Sequence, residues 1–576
     1  MAIEESTLMS WWNRLVTSVR PQKQNQRGPS TRENLPNFPD WESLLDTNRP
    51  LWEKAKKKAQ RGPQVLMATA VGGLSPLSLP ESLLAVALTL RGAKVHTLLC
   101  DRILPACLYT LKLDTPETVL TNYELDGFKC QHCLKVGRYL YEPLELTNHL
   151  FSELLSDEER AKAKVLAAQI PSAEIENYQI GNWRVGEHAY AGTLRYYASG
   201  NLSNEPDSEV ILRRYFEGAL LTAFATNNLL QQHDFRVACF NHGIYSPHGI
   251  IGEVCRDRHV RVVNWNVAYR KRCFIFSHED TYHHTLLSEP VEVWENLPWT
   301  PAMESEILEY LKSRWQGTRD WIWFHEQPDE EFGKIAREIG LDLDKPIIGL
   351  LTNVMWDAQL HYRANAFPNM LAWVLETIAY FSQRPDLQLL IRIHPAEIRG
   401  TVPSRQPLLP EIMKVWPQLP DNIFIVPPES PVSTYAAMVA CDSAIVYGTK
   451  TGVELTSIGI PTIVGGEAWI RGKGITMDAS TPQEYFQFLD RLPLRKRLDE
   501  QTLKRARLYA YHFFFRRMMP IRPLEPFSGK PPFKINISNL EELLPGADPG
   551  LDLICDGILS GSAFIYPAEK LGIDKN

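Results

Sequence analysis

Twice along this chain, unbroken apolar runs of strand length alternate with helical stretches and stop at glycine, proline or polar loops. The first unit is residues 64–71 (QVLMATAV), the pair Gly72-Gly73 with a Ser/Pro loop, a helix over 80–91 and a second run at 94–100 (KVHTLLC). An apolar run without alternation marks a strand buried on both faces. Two such strands joined through a helix lie parallel in one sheet. Helices are expected over 153–168 and 208–232, and strands return at 237–241, 260–264 and 272–276. A second unit opens with a strand at 346–352, a helix over 367–383 and a strand at 387–393. Strands at 422–426, 443–447 and 461–464 follow, with helices at 433–439 and 452–458 between them.

At 576 residues the chain exceeds what a single hydrophobic core supports. The pattern predicts an α/β protein made of two Rossmann-like domains facing a cleft. Residues 1–60 read as a leader and linker, 61–330 as the N-terminal domain, 340–500 as the C-terminal domain and 501–576 as a helix and tail. A net charge of -7 argues against a dedicated nucleic-acid binder, which carries a basic excess. No apolar stretch is long enough to span a bilayer, and Glu4 and Glu5 precede any apolar run, unlike a secretory signal. Cytoplasmic placement is the expectation. Residues 9–20 read either as an amphipathic helix resting on the inner membrane surface or as an unstructured leader. Cys130-x-x-Cys133, together with Cys100 and Cys107, offers thiolates for a structural zinc; buried, loosely paired thiols are the alternative.

In doubly wound folds ligands bind at the carboxyl ends of the strands. After strand 387–393 stand Arg392, His394, Pro395 and Glu397. A guanidinium fork and a ring N–H there suit phosphate oxygens. After strand 443–447 comes Tyr447-Gly-Thr-Lys-Thr-Gly-Val-Glu454, in which Thr449, Thr451 and the amides around Gly452 suit an anion and Glu454 suits ribose hydroxyls. The glycine-rich loop 465–474, with Trp469, and the loop 352–357 are each placed to face the cleft, as closing loops or as plain surface loops.

This order of strand, His-Pro, strand, Thr-Gly-Val-Glu helix and Gly-Ile-Pro strand resembles the C-terminal domain of GT-B glycosyltransferases. It is most similar to bacterial capsule and surface-polysaccharide enzymes of the Kdo- and sialyl-transferase type. The likeness spans 345–490 and, more loosely, 64–285. It implies a nucleotide-sugar donor held by Arg392, His394, Glu397, Tyr447, Thr449, Thr451, Gly452 and Glu454, with Gly72 and Gly73 approaching from the other domain. Thr-Lys-Thr stands where the family has a Ser/Thr pair, so the nucleotide stays open. The acceptor, a polysaccharide or glycolipid, belongs to the N-terminal half, which also has to supply a base. His242 is the first choice, with Glu253 and Asp280 next. No Asp-x-Asp sits at a strand end, which fits a metal-independent, inverting transfer needing no cofactor. A nucleotide-sugar 2-epimerase and a non-catalytic nucleotide- or polysaccharide-binding protein are the alternatives.

Overall fold

The apolar runs form strands as expected, and their continuity is explained by burial on both faces. β1 (Gln64–Ala70), β2 (Lys94–Leu99), β3 (Thr147–Leu150), β4 (Phe235–Asn241) and β5 (Arg261–Val267) are parallel, in the order β5-β4-β1-β2-β3. β6 (Cys273–His278) adds to β5 antiparallel. The second sheet holds β7 (Ile347–Leu351), β8 (Gln388–Arg392), β9 (Ile423–Val426), β10 (Ser443–Val446), β11 (Thr462–Val464) and β12 (Met477–Asp478). Its order is β12-β11-β10-β7-β8-β9, parallel throughout. Each sheet has its own apolar core, so the protein is an α/β molecule of two Rossmann-like lobes. The computed structural model describes residues 35, 37–112, 127–315, 319–321, 332–400, 402–529 and 531–573. Residues Pro39–Asn576 make one compact unit, and the expected amphipathic segment 9–20 lies outside the described residues. Among the described residues, no helix is long and apolar enough to cross a membrane.

Residues 501–576, expected as a helix and tail, start against the C-terminal lobe, where the helix Glu500–Tyr511 packs on the helix Thr451–Ser457, and finish built into the N-terminal lobe. The helix Glu500–Tyr511 leads to β13 (Met519–Pro520), which pairs antiparallel with β6. The helix Pro549–Ser560 then packs on the helix Ser75–Leu90 and on β4. The chain thus crosses back from the second lobe to finish the first.

The helix Ser75–Leu90 begins earlier than its expected start at 80 and keeps Pro80 inside it, because nearly every side chain from Leu77 onward is buried. Burial here outweighs the lost N–H of Pro80. The same burial encloses Glu81, whose carboxylate accepts from Trp265 Nε1 at 2.9 Å. Desolvation pushes its pKa up to about 7. A carboxyl whose pKa is raised by folding stabilises below its unfolded value and loses that contribution as pH climbs to the folded one. Glu81→Gln keeps the acceptor and removes the ionisation. It should therefore gain about 2–3 kcal/mol at pH 8 and almost nothing at pH 4. Urea unfolding at both pH values checks this, and an equal effect at the two would contradict it.

Candidate functional site

The carboxyl ends of β7, β8 and β10 open on a cavity of about 430 Å³ that both lobes line. That size is in the range of small-ligand sites. His394, just past β8, reaches it. Its backbone N–H donates to Thr352 Oγ1 at 3.0 Å, and its Nδ1 accepts from the Ala396 N–H at 3.1 Å. The second bond fixes the neutral tautomer with the proton on Nε2. Burial first, and then the charges of Lys450 and Arg392, bring the His394 pKa down to about 4. The ring is thus a neutral N–H donor at pH 7 in a field that two cations make positive.

Beside it, the loop after β10 presents Thr449 and Thr451. Their hydroxyls are 3.0 Å apart, and the Thr451 N–H donates to Thr449 Oγ1 at 3.3 Å. The Gly448 N–H donates to Asn353 Oδ1 at 3.2 Å, joining this loop to the one after β7. Tyr447 lines the cavity, but its hydroxyl is spent on the Phe367 carbonyl at 2.8 Å.

Arg392 and Glu454 are engaged differently from their expected roles. The Arg392 guanidinium donates to the carbonyls of Pro427, Ser430 and Val432 and to Thr434 Oγ1. It holds the loop after β9 and contributes charge to the cavity more than open N–H groups. Glu454 is buried and receives Lys450 Nζ at 2.7 Å and Arg314 Nε at 3.1 Å. Burial would raise its pKa; Arg314 and Lys450 override that and hold it near about 2. Arg314 also pairs with Asp320. Lys450 lies over the Tyr269 ring at 4.7 Å, and burial followed by Arg314 lowers its pKa. Glu397 accepts the Leu408 N–H at 3.0 Å behind His394, outside the cavity lining, and burial lifts its pKa to about 7.

Three carboxylates line the cavity: Asp320, which pairs with Arg314; Glu467, which accepts the Ala364 N–H at 2.9 Å; and Asp357, on the loop after β7. The Asp357 side chain is accessible from the lumen and accepts the Tyr245 hydroxyl at 3.0 Å, while that hydroxyl accepts the Ala358 N–H at 2.7 Å. Neighbouring loop residues are clamped to the N-terminal lobe: Ala358 packs with Leu77, Ile244 and Tyr245, and Trp356 packs with Ala198. The walls of both lobes desolvate Asp357 and raise its pKa, against the opposing pull of Tyr245 and Arg195. Its loop was expected to face the cleft, and Asp357 is the acid in it; that was the available signal. Arg314 gave none.

Three residues expected as bases are absent from the cavity lining. His242, left-handed at φ 62, packs on Tyr245, Tyr282 and His283. Burial and then His283 drive its pKa well below the ordinary value, so it holds a proton poorly. Glu253 is locked to Arg184 at 2.6 Å, Arg256 at 3.1 Å and His188 at 3.3 Å. Asp280 pairs with His284 at 3.0 Å. From the same run, His283 does line the cavity, its ring tilted against Trp469 with centroids 5.3 Å apart.

Gly72 and Gly73 serve packing. A Cβ on either would meet the backbone of the helix Gly127–Tyr141, at Gly137 Cα (2.5 Å) and at Cys133 Cα (2.7 Å). Gly452 is buried in its helix against Ile470. The loop 465–474 is pinned: Lys473 Nζ donates to the carbonyls of Leu287 at 3.0 Å and Glu289 at 2.9 Å, and Arg471 to that of Ala479 at 2.8 Å. Cys100, Cys107, Cys130 and Cys133 lie near enough to feel one another's charge. Yet, among the described residues, no three of their sulfurs come within 4.8 Å of one another. Burial pushes the Cys100 thiol up to about 12 and that of Cys133 up to about 11.

The chain matches no protein-family model and no curated protein. Among solved structures it is similar to the Thermosulfurimonas dismutans KpsC beta Kdo 2,4 transferase at 11% identity, over 50% of this chain and 82% of that one, with a TM-score of 0.32. It is also similar to the spinosyn rhamnosyltransferase SpnG at 12% identity, over 78% of this chain and 95% of that one, with a TM-score of 0.23. For the Neisseria meningitidis UDP-GlcNAc 2-epimerase the identity is 9%, over 78% of this chain and 95% of that one, with a TM-score of 0.22.

Proposed function

We propose that this chain is a GT-B-type glycosyltransferase that moves a sugar from a nucleotide donor to an acceptor hydroxyl. The observation that carries the proposal is the pairing, across one cavity, of an anion-attracting corner with a carboxylate. The corner is His394, Thr449 and Thr451 in the field of Lys450 and Arg392. The carboxylate is Asp357, raised in pKa and steadied by Tyr245.

In this reading the donor phosphates lie against the His394 ring N–H and the threonine hydroxyls. Asp357 takes the proton of the attacking hydroxyl as the acceptor oxygen bonds to the anomeric carbon and the nucleotide phosphate departs. The two cations stabilise the charge that develops on the leaving phosphate. A carboxylate with a raised pKa is better matched to that proton transfer. No step calls for a metal. A bacterial surface-polysaccharide or glycolipid acceptor is part of the proposal, drawn from the sequence resemblance, as is work at the cytoplasmic side of a membrane.

Thermal-shift measurement against CMP, UDP, GDP and CDP identifies the nucleotide, since a ligand that binds the native state raises its stability. Turnover of the matching nucleotide sugar then tests the reaction. Nucleotide release that depends on an added acceptor supports transfer. Conversion of the sugar without any acceptor is the epimerase outcome, and tight binding without turnover is that of a binding protein; either overturns the proposal. His394→Ala should keep the fold and lower kcat/KM for the donor about 10- to 100-fold, the worth of one hydrogen bond to a charged group. Unchanged turnover in a folded His394→Ala would remove His394 from the donor site.

A further inference from the structure

At the opposite, amino-terminal end of the first sheet, three histidines from distant segments meet. His96 lies early in β2, His149 is in β3, and His233 caps the helix Ser208–Gln232 just ahead of β4. One ring nitrogen from each lies within 4.8 Å of the other two, and His96 Nδ1 is 2.9 Å from His149 Nε2. The ring centroids are 5.2, 5.0 and 4.9 Å apart. Imidazoles bound to one tetrahedral ion, each through a nitrogen about 2.1 Å from it, hold their centroids roughly 5 Å apart. His96 is 1% exposed, and its Nε2 is a buried nitrogen without a hydrogen-bond partner. His149 and His233 are half-buried and leave the cluster open to solvent on one side.

We infer that His96, His149 and His233 form a binding site for a divalent transition metal of the zinc, cobalt, nickel or copper class. Three imidazole nitrogens suit these borderline ions and exclude magnesium and calcium, which take oxygen donors. The fourth position faces solvent, where water completes a tetrahedron. Burial first, and then the neighbouring histidines or Lys94, keeps all three rings neutral, the form that ligates. The same Lys94 charge repels a dication, so binding weaker than a structural zinc finger's is expected here. Because His149 is on the edge strand β3, the ion would staple that strand to β2 and to the start of β4, far along the strands from the interlobe cavity. The inference does not depend on the glycosyltransferase reading.

The test is cobalt titration of the full chain, made without a histidine tag and stripped of metal, followed by visible absorption. Expected are one Co²⁺ per chain, d–d bands of a four- or five-coordinate nitrogen and oxygen site, and no sulfur charge-transfer band. Zn²⁺ should displace the cobalt and raise the Tm. His149→Ala and His233→Ala, at half-exposed positions where folding survives, should each weaken binding more than about 100-fold, since losing even an outer-sphere partner costs 10–100-fold. No binding in the wild type, or binding unchanged in both variants, overturns the site. A charge-transfer band abolished by Cys130→Ser but not by His149→Ala would do the same and move the metal to the cysteines. So would absence of cobalt bands with the 2.9 Å His96–His149 contact acting only as a hydrogen bond.

Discussion

Asp357→Asn is expected to lower the rate of sugar transfer by about 10²- to 10⁴-fold, the usual worth of a positioned general base. Donor affinity should change little, because the residues proposed to hold the donor, His394, Thr449 and Thr451, line the cavity from other loops. The substitution is nearly isosteric, and the Asn carbonyl can still accept the Tyr245 hydroxyl, which lies 3.0 Å from the present carboxylate. The loop is held by Ala358 and Trp356 against the N-terminal lobe, so its position does not depend on the Asp357 charge. What the variant loses is the ability to take a proton. The pH profile supplies a second readout. Asp357 ionises at a higher pH than an ordinary aspartate because the cleft desolvates it. The acid limb of kcat should accordingly be displaced upward and vanish in Asp357→Asn. A variant retaining a third of the wild-type kcat, or one whose acid limb is unchanged, would send the search for the base elsewhere in the cavity, with His283 next.

Much of the architecture was legible because burial leaves a simple mark. Runs such as 347–351 and 389–391 are apolar without alternation since both sheet faces are covered, and the helices between them force parallel order. The position rule for open sheets then placed His394, Thr449 and Thr451 on the cavity. What was illegible is what depends on partners far away in sequence. Arg392, Glu454 and Lys473 carry charges that suggest ligands, yet each is largely committed to protein atoms. Their partners come from loops and helices that no local pattern ties to them. The three candidate bases lie off the cavity lining for a related reason. His242, Glu253 and Asp280 all follow strands of the first sheet, but which of many polar groups turns into the lumen depends on loop conformation. The left-handed turn at His242 sends that ring back among aromatic neighbours. The return of 501–576 was hidden because β13 has only two residues, too few for any periodicity.

Arg314→Met should destabilise the protein by about 3–5 kcal/mol at pH 7, the range for breaking a buried ion pair by removing one partner. Arg314 extends from the helix Pro301–Trp315 to Glu454, 140 positions away, and also pairs with Asp320, with side chains only 5% and 3% exposed. Without it, Lys450 alone faces two buried carboxylates. The pH dependence separates this from a packing defect. Glu454, held near about 2 against an ordinary 4.5, gives stability that is present above the unfolded pKa and lost as pH falls toward the folded one. The unfolded state is common to both proteins, so the gap between wild type and Arg314→Met should be largest at neutral pH and should narrow as pH falls through the Glu454 pKa of the folded variant, which burial raises once Arg314 is gone. A purely steric defect would leave the gap constant. Arg314→Met with Glu454→Met should recover part of the loss, because apolar replacement of a whole buried ion pair is often neutral. Urea unfolding of the wild type and both variants across this pH range decides it, and a loss below about 1 kcal/mol in Arg314→Met would contradict the account. The functional consequence follows from where Glu454 sits. It lies in the helix Thr451–Ser457, directly after the Thr449–Thr451 turn, so Arg314 ties a helix that follows the first sheet to the loop proposed to hold the donor. Loosening that tie should raise the donor KM while leaving the Asp357-dependent acid limb of kcat in place.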